Sequence, residues 1–187
     1  LFDVKAFRDL THGEAIPPDT TFALFRDSLE PLRTADRFGC ALYQFPPSFG
    51  NTEANREFLG RVARQMAGIP VAVEFRNGTW LDADSAPATL SLLSDLGLAY
   101  AIADEPQLSR GTVQPLVATT NEDLAYLRLH GRNAKGWLGH SGRYDYDYST
   151  EELVGFVEIV EQLAGSAKQV HVIFNKNEKG AGTRNAL

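Results

Sequence analysis

The chain has 187 residues, of which 43% are hydrophobic and 22% charged, with a formal net charge of −6 and a pI near 5.2. That balance is ordinary for one globular domain and argues against broad electrostatic attraction to nucleic acid or to an anionic membrane surface. No stretch is apolar for long enough to span a membrane, no signal-peptide pattern opens the chain, and the single cysteine cannot form an internal disulfide, so the sequence reads as cytoplasmic.

Taken in chain order, residues 2–6 read as a strand and 11–18 as a loop. A helix follows from about Thr21 to Arg33, in which Pro31 removes an amide donor and is expected to break or bend the helix. A strand at 40–45 is stopped by Pro46 and Pro47. Phe58, Leu59, Val62 and Met66 recur at helical spacing within 52–66, and Gly68-Ile69-Pro70 ends that helix. The strand 71–75 comes next, then a helix marked by Leu90, Leu93 and Leu96 that stops at Gly97, then a strand at 99–103. Residues 105–123 carry Pro106, Gly111 and Pro115 without a helical period and read as a long irregular crossover. Residues 126–129 form a strand, and Ser149-Thr150-Glu151-Glu152 has the pattern of a capping box that opens a helix to about Leu163. The last strand is 170–174, and the tail from about Gly180 reads as a final helix.

Strand and helix thus alternate, as βα units around a parallel sheet require. Alternate side chains of a strand point to opposite faces. Val71, Val73 and Phe75 form an apolar set against Ala72, Glu74 and Arg76; Leu127 and Leu129 oppose Tyr126, Arg128 and His130. Val170, Val172 and Phe174 oppose His171, Ile173 and Asn175, and Phe2, Val4 and Ala6 oppose Asp3 and Lys5. The polar groups Lys5, Gln44, Glu74 with Arg76, Asp104, Arg128 with His130, and Asn175 crowd the C-terminal ends of six strands, where a parallel barrel carries its function. An open doubly wound sheet is the competing fold, but its central strands are apolar on both faces, and these are not. An eight-unit barrel takes about 250 residues. Residues 1–187 therefore read as one (β/α) barrel domain that is two units short, with about sixty further residues expected ahead of Leu1.

The chemistry on that face leaves several roles open. Glu74 is a candidate general base, or a salt-bridge partner that orients Arg76 or Arg128. Arg128 offers a planar donor fork for phosphate or carboxylate, while His130 titrates nearest neutral pH. Asp104 is a second candidate acid or base, or a cap for the loop that follows it. Lys5, Arg76 and Arg128 against Glu74 and Asp104 leave the strand ends positive by one, which an anionic ligand balances. Gln44 and Asn175 supply neutral hydrogen bonds; His12, in the polar loop after its strand, is a ligand contact or a turn residue, and Trp80, in the loop after Arg76, is a candidate ligand contact. The segment 131–148, with Arg132, Trp137, Arg143 and Tyr144, reads as a lid whose aromatics stack on a sugar or base, or as a loop packed on the barrel. Gly180-Ala181-Gly182 suggests a phosphate loop near the last strand but lacks Walker A spacing. His12, His130, Glu74 and Asp104 are metal-ligand types without HxH or HExxH spacing, and no GxGxxG fingerprint is present, so neither metal nor cofactor is expected. Cys40 enters an apolar run with no basic activator nearby in sequence and reads as a buried core residue rather than a nucleophile.

The segments FDVKAFRDLTH (2–12), ALYQFPPSF (41–49), VAVEFRNGTW (71–80), AIADEP (101–106), YLRLHGR (126–132), RYDYDYS (143–149) and VIFNKNEKGAGTRNA (172–186) follow the order of the successive blocks of the YecE-like family, domain of unknown function 72. The chain resembles that family over nearly its whole length. The resemblance implies a TIM-like barrel and places residues 2–6 at its third strand, so that strands three to eight are present. The family's usual first strand, with glycine and tryptophan, and its second, ending in a Glu-Ile-Asn type block, are not among these residues. Lys176 stands where the family usually shows a second asparagine.

Because the family name carries no activity, the functional expectation rests on the residues. It is an enzyme-like pocket for a small anionic or sugar-like ligand, with Glu74, His130 and Asp104 in acid–base roles and Lys5, Arg76 and Arg128 as anchors. The alternatives are a non-catalytic binding protein for the same ligands and a metal-assisted phosphodiesterase on nucleic acid, the last disfavoured by the acidic composition.

Overall fold

The computed structural model describes residues 1–13, 16–108, 112–139, 142–175 and 180–187. Six strands, β1 (Phe2–Lys5), β2 (Phe38–Gln44), β3 (Val71–Glu74), β4 (Ala99–Asp104), β5 (Leu124–Leu129) and β6 (Gln169–Phe174), pair in sequence order, every neighbour parallel. The connections carry α1 (Arg8–Thr11), α2 (Asp19–Thr34), α3 (Glu53–Gln65), α4 (Ala86–Asp95), α5 (Ala134–Leu138) and α6 (Thr150–Ala164), with α7 (Ala181–Ala186) after the last strand. No helix of the described residues is long and apolar enough to cross a membrane.

Two side-chain contacts reveal how strongly the sheet curls. Laid flat, six strands would set β1 and β6 about 24 Å apart at the usual interstrand spacing. Asp3 of β1 nevertheless meets His171 of β6 at 3.0 Å, and Arg128 of β5 reaches Gln44 of β2 at 3.1 Å. Because β1 and β6 do not pair with each other, the result is a half-barrel rather than a closed ring.

The two faces of the curl differ as the alternation requires. Outside, Tyr43, Phe45, Val73, Phe75, Leu127 and Leu129 pack under Phe22, Phe25 and Leu29 of α2, Leu59 and Val62 of α3, and Phe156 and Leu163 of α6. Inside, Cys40, Leu42, Ala72, Ala99, Ala101, Leu124 and Tyr126 form a second, smaller cluster. The three inward alanines are short, which leaves interior volume for the larger polar chains further along the same strands.

Local signals explain most boundaries. Ser149 Oγ accepts from the Glu152 amide and the Glu152 carboxylate accepts from the Ser149 amide, so the predicted capping box starts α6. Pro31 does not break α2, which continues to Thr34. One lost backbone bond near the C-terminal end is outweighed by burial of Phe22, Phe25 and Leu29 along one stripe.

Among the described residues of 105–123 there is neither helix nor strand, and Thr120 fastens the end of this crossover. Its hydroxyl donates to the Leu98 carbonyl at 2.7 Å and accepts from the Tyr100 amide at 2.8 Å. Thr120→Val leaves both backbone groups unpaired at a position only 7% exposed. It should lower stability in urea unfolding by about 1–3 kcal/mol, and Thr120→Ser should recover most of the loss.

Candidate functional site

The site is built outward from a carboxylate with no exposed surface. Glu74 ends β3 on the inner face, and its Oε1 lies 2.6 Å from Arg76 Nη2 while its Oε2 accepts from Arg128 Nη1. Arg76 extends the same strand face, and Arg128 comes from β5, brought across by the curl. Burial alone would raise the Glu74 carboxyl, but the Arg76 and Arg128 guanidinium groups outweigh it and hold it well below the usual carboxylate range. A carboxylate held so firmly ionised is a weak base and a strong orienter of guanidinium groups.

His130 sits against this pair, fully buried. Its Nε2 is 2.8 Å from Arg76 Nη2. Arginine can only donate, so Nε2 is the acceptor and the ring proton belongs on Nδ1. Asn175, 3.0 Å from Nδ1, satisfies that proton when its amide presents the oxygen. In this tautomer the Nε2 to Glu74 Oε1 approach of 3.4 Å carries no hydrogen bond. Burial first, then the neighbouring guanidinium groups, lower the imidazole to about 4 in spite of Glu74, so His130 is neutral at neutral pH.

A residue absent from the sequence expectation completes the cluster. Glu105 accepts from Arg76 Nη1 at 2.5 Å and from the Val113 amide at 2.6 Å. Burial raises its carboxyl to about 7 against the pull of Arg76 and Val113. Asp104, the expected group, belongs to the other face with Tyr100 and Ile102. There it receives a two-oxygen clasp from Arg132, at 2.7–3.1 Å, and the Tyr148 hydroxyl at 2.6 Å. The signal was in the strand itself: Ala99, Ala101 and Ala103 face inward, and the next residue of that parity is Glu105, not Asp104.

Two further residues expected at the pocket, Trp80 and Arg132, lie away from its inner face. Trp80 is buried on the outer side, stacked on Phe75 at 4.4 Å, with its indole N–H on the Phe49 carbonyl at 2.8 Å. Arg132 is committed to Asp104 and to Glu152, the latter at 3.0 Å. It braces the 131–148 connection from outside rather than facing the inner pocket. Gly131 allows that connection to turn, since its φ of 85° is left-handed and a Cβ there would lie 2.5 Å from Tyr146.

Of the remaining expected groups, Gln44, Trp137 and Tyr144 stand against Arg128 or His130. Gln44 receives Arg128 at 3.1 Å. Lys5 stands at the rim, its ammonium pKa lowered by burial and by repulsion from Arg128 and Arg76. His12 bonds to the Thr11 hydroxyl at 2.7 Å, and its pKa is lowered by burial and then by Lys5 and Arg8. Trp137 and Tyr144 lie 6.2 and 6.1 Å from the His130 ring, and Trp137 stacks under Arg76 and Arg143 at 5.5 and 4.7 Å. The metal-ligand types His12, His130, Glu74 and Asp104 do not gather into one cluster.

Gly180 is left-handed and precedes the six-residue α7, while Lys176 falls outside the described residues. A surface groove of ≈ 1180 Å³ beside α4, lined by Leu81, Ala86, Leu90, Pro115 and Leu116, takes none of these strand-end charges.

Fold and site together define a parallel α/β half-barrel that gathers its charged groups at the C-terminal strand ends. The chain belongs to the family described as "Protein of unknown function DUF72", whose match runs over residues 1–187. It is 34% identical to UPF0759 protein YunF of Bacillus subtilis (strain 168) over 197 residues, covering 98% of this chain and 70% of the relative. Among solved structures it is similar to the DUF72 family protein TM1631 from Thermotoga maritima MSB8, with a TM-score of 0.90 and 34% identity over 99% of this chain and 70% of that one. It is also similar to the DUF72 family protein EF0366 from Enterococcus faecalis V583, with a TM-score of 0.89 and 30% identity over 97% and 70% of the two chains.

The two shifted groups act oppositely on stability. Glu105, raised to about 7 from 4.5, binds more protons folded than unfolded, so its contribution is lost as pH rises from about 4.5 to 7. His130, lowered to about 4 from 6.5, binds fewer protons folded, so its contribution grows between about 4 and 6.5. The two should largely cancel between pH 5 and 6.5. Glu105→Gln should uncover a rise of stability with pH, and His130→Gln a fall, each by at most about 1.4 kcal/mol per pH unit, read by chemical denaturation across that range.

Proposed function

We propose that the C-terminal strand ends bind a small anionic or sugar-like ligand and act on it by acid–base chemistry. The observation that carries this reading is the convergence of Lys5, Arg76 and Arg128 around one obligatory carboxylate, Glu74. With Glu105 in place of Asp104 the inner charge is positive by one when Glu105 is ionised and by two when it is protonated. The Nε groups of both arginines are buried without a hydrogen-bond partner among the described residues, and the pKa of Lys5 is already lowered by burial and its cationic neighbours. An anion relieves all three conditions, and the Trp137 and Tyr144 rings, set at 83° to each other, offer an aromatic corner for a cyclic ligand.

Within this reading Glu74 orients the two guanidinium groups and Glu105 takes the acid–base role, since its carboxyl changes charge near neutral pH. An anion that draws Arg76 toward itself frees the Nε2 lone pair of His130 as a second proton acceptor. A binding protein for the same ligands is the alternative, favoured by the degree to which Glu74 and His130 already satisfy one another through Arg76. A phosphodiesterase with a metal at these groups is weaker, because the Glu74 oxygens are taken by guanidinium groups and Asp104 faces the outer layer.

Inorganic phosphate titrated into the protein should bind more weakly as salt rises. Arg128→Ala should cost about 1.5–3 kcal/mol of phosphate affinity if its charged hydrogen bonds are made; an unchanged affinity in folded variant protein would remove the reading. A screen of sugar phosphates and sugar acids separates the two classes. Turnover by the wild type, lost in Glu105→Gln with binding retained, marks an enzyme, and binding without turnover marks a carrier.

A further inference from the structure

The other end of the barrel interior holds a second cluster that the strand-end chemistry does not use. Asp3 of β1, Cys40 of β2 and His171 of β6 each offer one ligand atom, and these atoms all lie within 4.8 Å of one another. Cys40 is four residues before Gln44 on β2, so the cluster is about 13 Å below the arginine site along the strand.

We propose that Asp3, Cys40 and His171 bind a zinc-type divalent cation. Thiolate, imidazole and carboxylate together match zinc or cobalt and are a poor set for magnesium or calcium, which take oxygen ligands alone. Around a tetrahedral ion, bonds of about 2.0–2.3 Å place ligand atoms about 3.3–3.7 Å apart. Asp3 Oδ1 and His171 Nδ1, now 3.0 Å apart, separate slightly to admit the ion, and the thiol closes in. The ionised Asp3 and Cys40 groups carry two negative charges that one divalent cation neutralises, as a largely buried site requires.

The surroundings suit an ion. The Cys40 backbone amide donates to Asp3 at 3.1 Å and Tyr126 helps keep that carboxyl ionised, as outer partners of a metal ligand do. Gly39 makes the room: a Cβ there would lie 2.2 Å from Asp3 Oδ1 and 2.9 Å from His171 Cε1. The same glycine lines a cleft of ≈ 330 Å³ with Val71, Leu124 and Gln169 at the N-terminal strand ends. Without metal, burial and Asp3 push the Cys40 thiol up and keep it protonated. The cation replaces that proton, so its affinity increases with pH.

The test is a cobalt(II) chloride titration of chelator-treated protein. Cys40 is the single cysteine of the chain, so a thiolate-to-cobalt charge-transfer band in the near ultraviolet reports this site alone. The expected result is one cobalt per chain with that band, its loss on adding zinc, and a zinc-dependent rise in melting temperature. Cys40→Ala should abolish the band, and His171→Gln should weaken cobalt binding by at least about tenfold. If the folded wild type gives no thiolate band at saturating cobalt, the three groups serve only as a hydrogen-bonded closure of the two edge strands and the proposal is overturned. A zinc-induced rise in melting temperature that persists in both variants overturns it as well, because the ion then lies elsewhere.

Discussion

A carboxylate with no exposed surface has to be compensated where it stands, and the interior of this half-barrel is arranged around that need. Glu74 lies on a middle strand, one guanidinium reaches it from two residues along the same face, and the other arrives from β5, two strands away. The second contact exists only because the sheet curls. Charge compensation and curvature are therefore one constraint: a flatter sheet withdraws Arg128 and leaves the carboxylate half-paired. Such an arrangement adds little stability over an apolar one of the same shape, yet loss of one partner costs about 3–5 kcal/mol. What it provides is a fixed direction for two cations.

From that fixed direction follows the protonation of the neighbours. The arginine that serves Glu74 also points a donor at His130, which must then accept and stay neutral. The same arginine pairs with Glu105, but burial there prevails and the carboxyl titrates near neutrality. Two carboxylates a few ångströms from one guanidinium thus differ in charge behaviour, because one has two cationic partners and the other has one.

Much of the architecture was legible in the chain. The alternation of Val71, Val73 and Phe75 with Ala72, Glu74 and Arg76 set the faces of β3, and the same reading placed Arg128, His130 and Asn175 correctly. It went astray where a strand face was assigned from the last polar residue instead of from parity: Asp104 is charged and terminal, but Tyr100 and Ile102 define its side. Trp80 and Arg132 were misplaced for a related reason, since loop residues have no period and their orientation comes from packing. The meeting of Asp3 with His171 could not be read at all, because it depends on how far six strands curl. Pro31 shows the converse, a strong local signal overridden by the buried stripe of α2.

The groups that hold charge at the strand ends are rooted in β1, β2, β3 and β5, or at the immediate ends of β4 and β6, whereas Trp137 and Tyr144 ride on a single connection. That connection is tied down on the outer side, through Arg132 and Tyr148 to Asp104 and through Tyr146 to Glu152. Its tethers and its ring-bearing rim therefore use different residues. The consequence is modular only in part: the tethers can stay while the rings change, but Trp137 also stacks on Arg76, so under the proposed reading an exchange of the rim alters both the shape of molecule admitted and the setting of one guanidinium below.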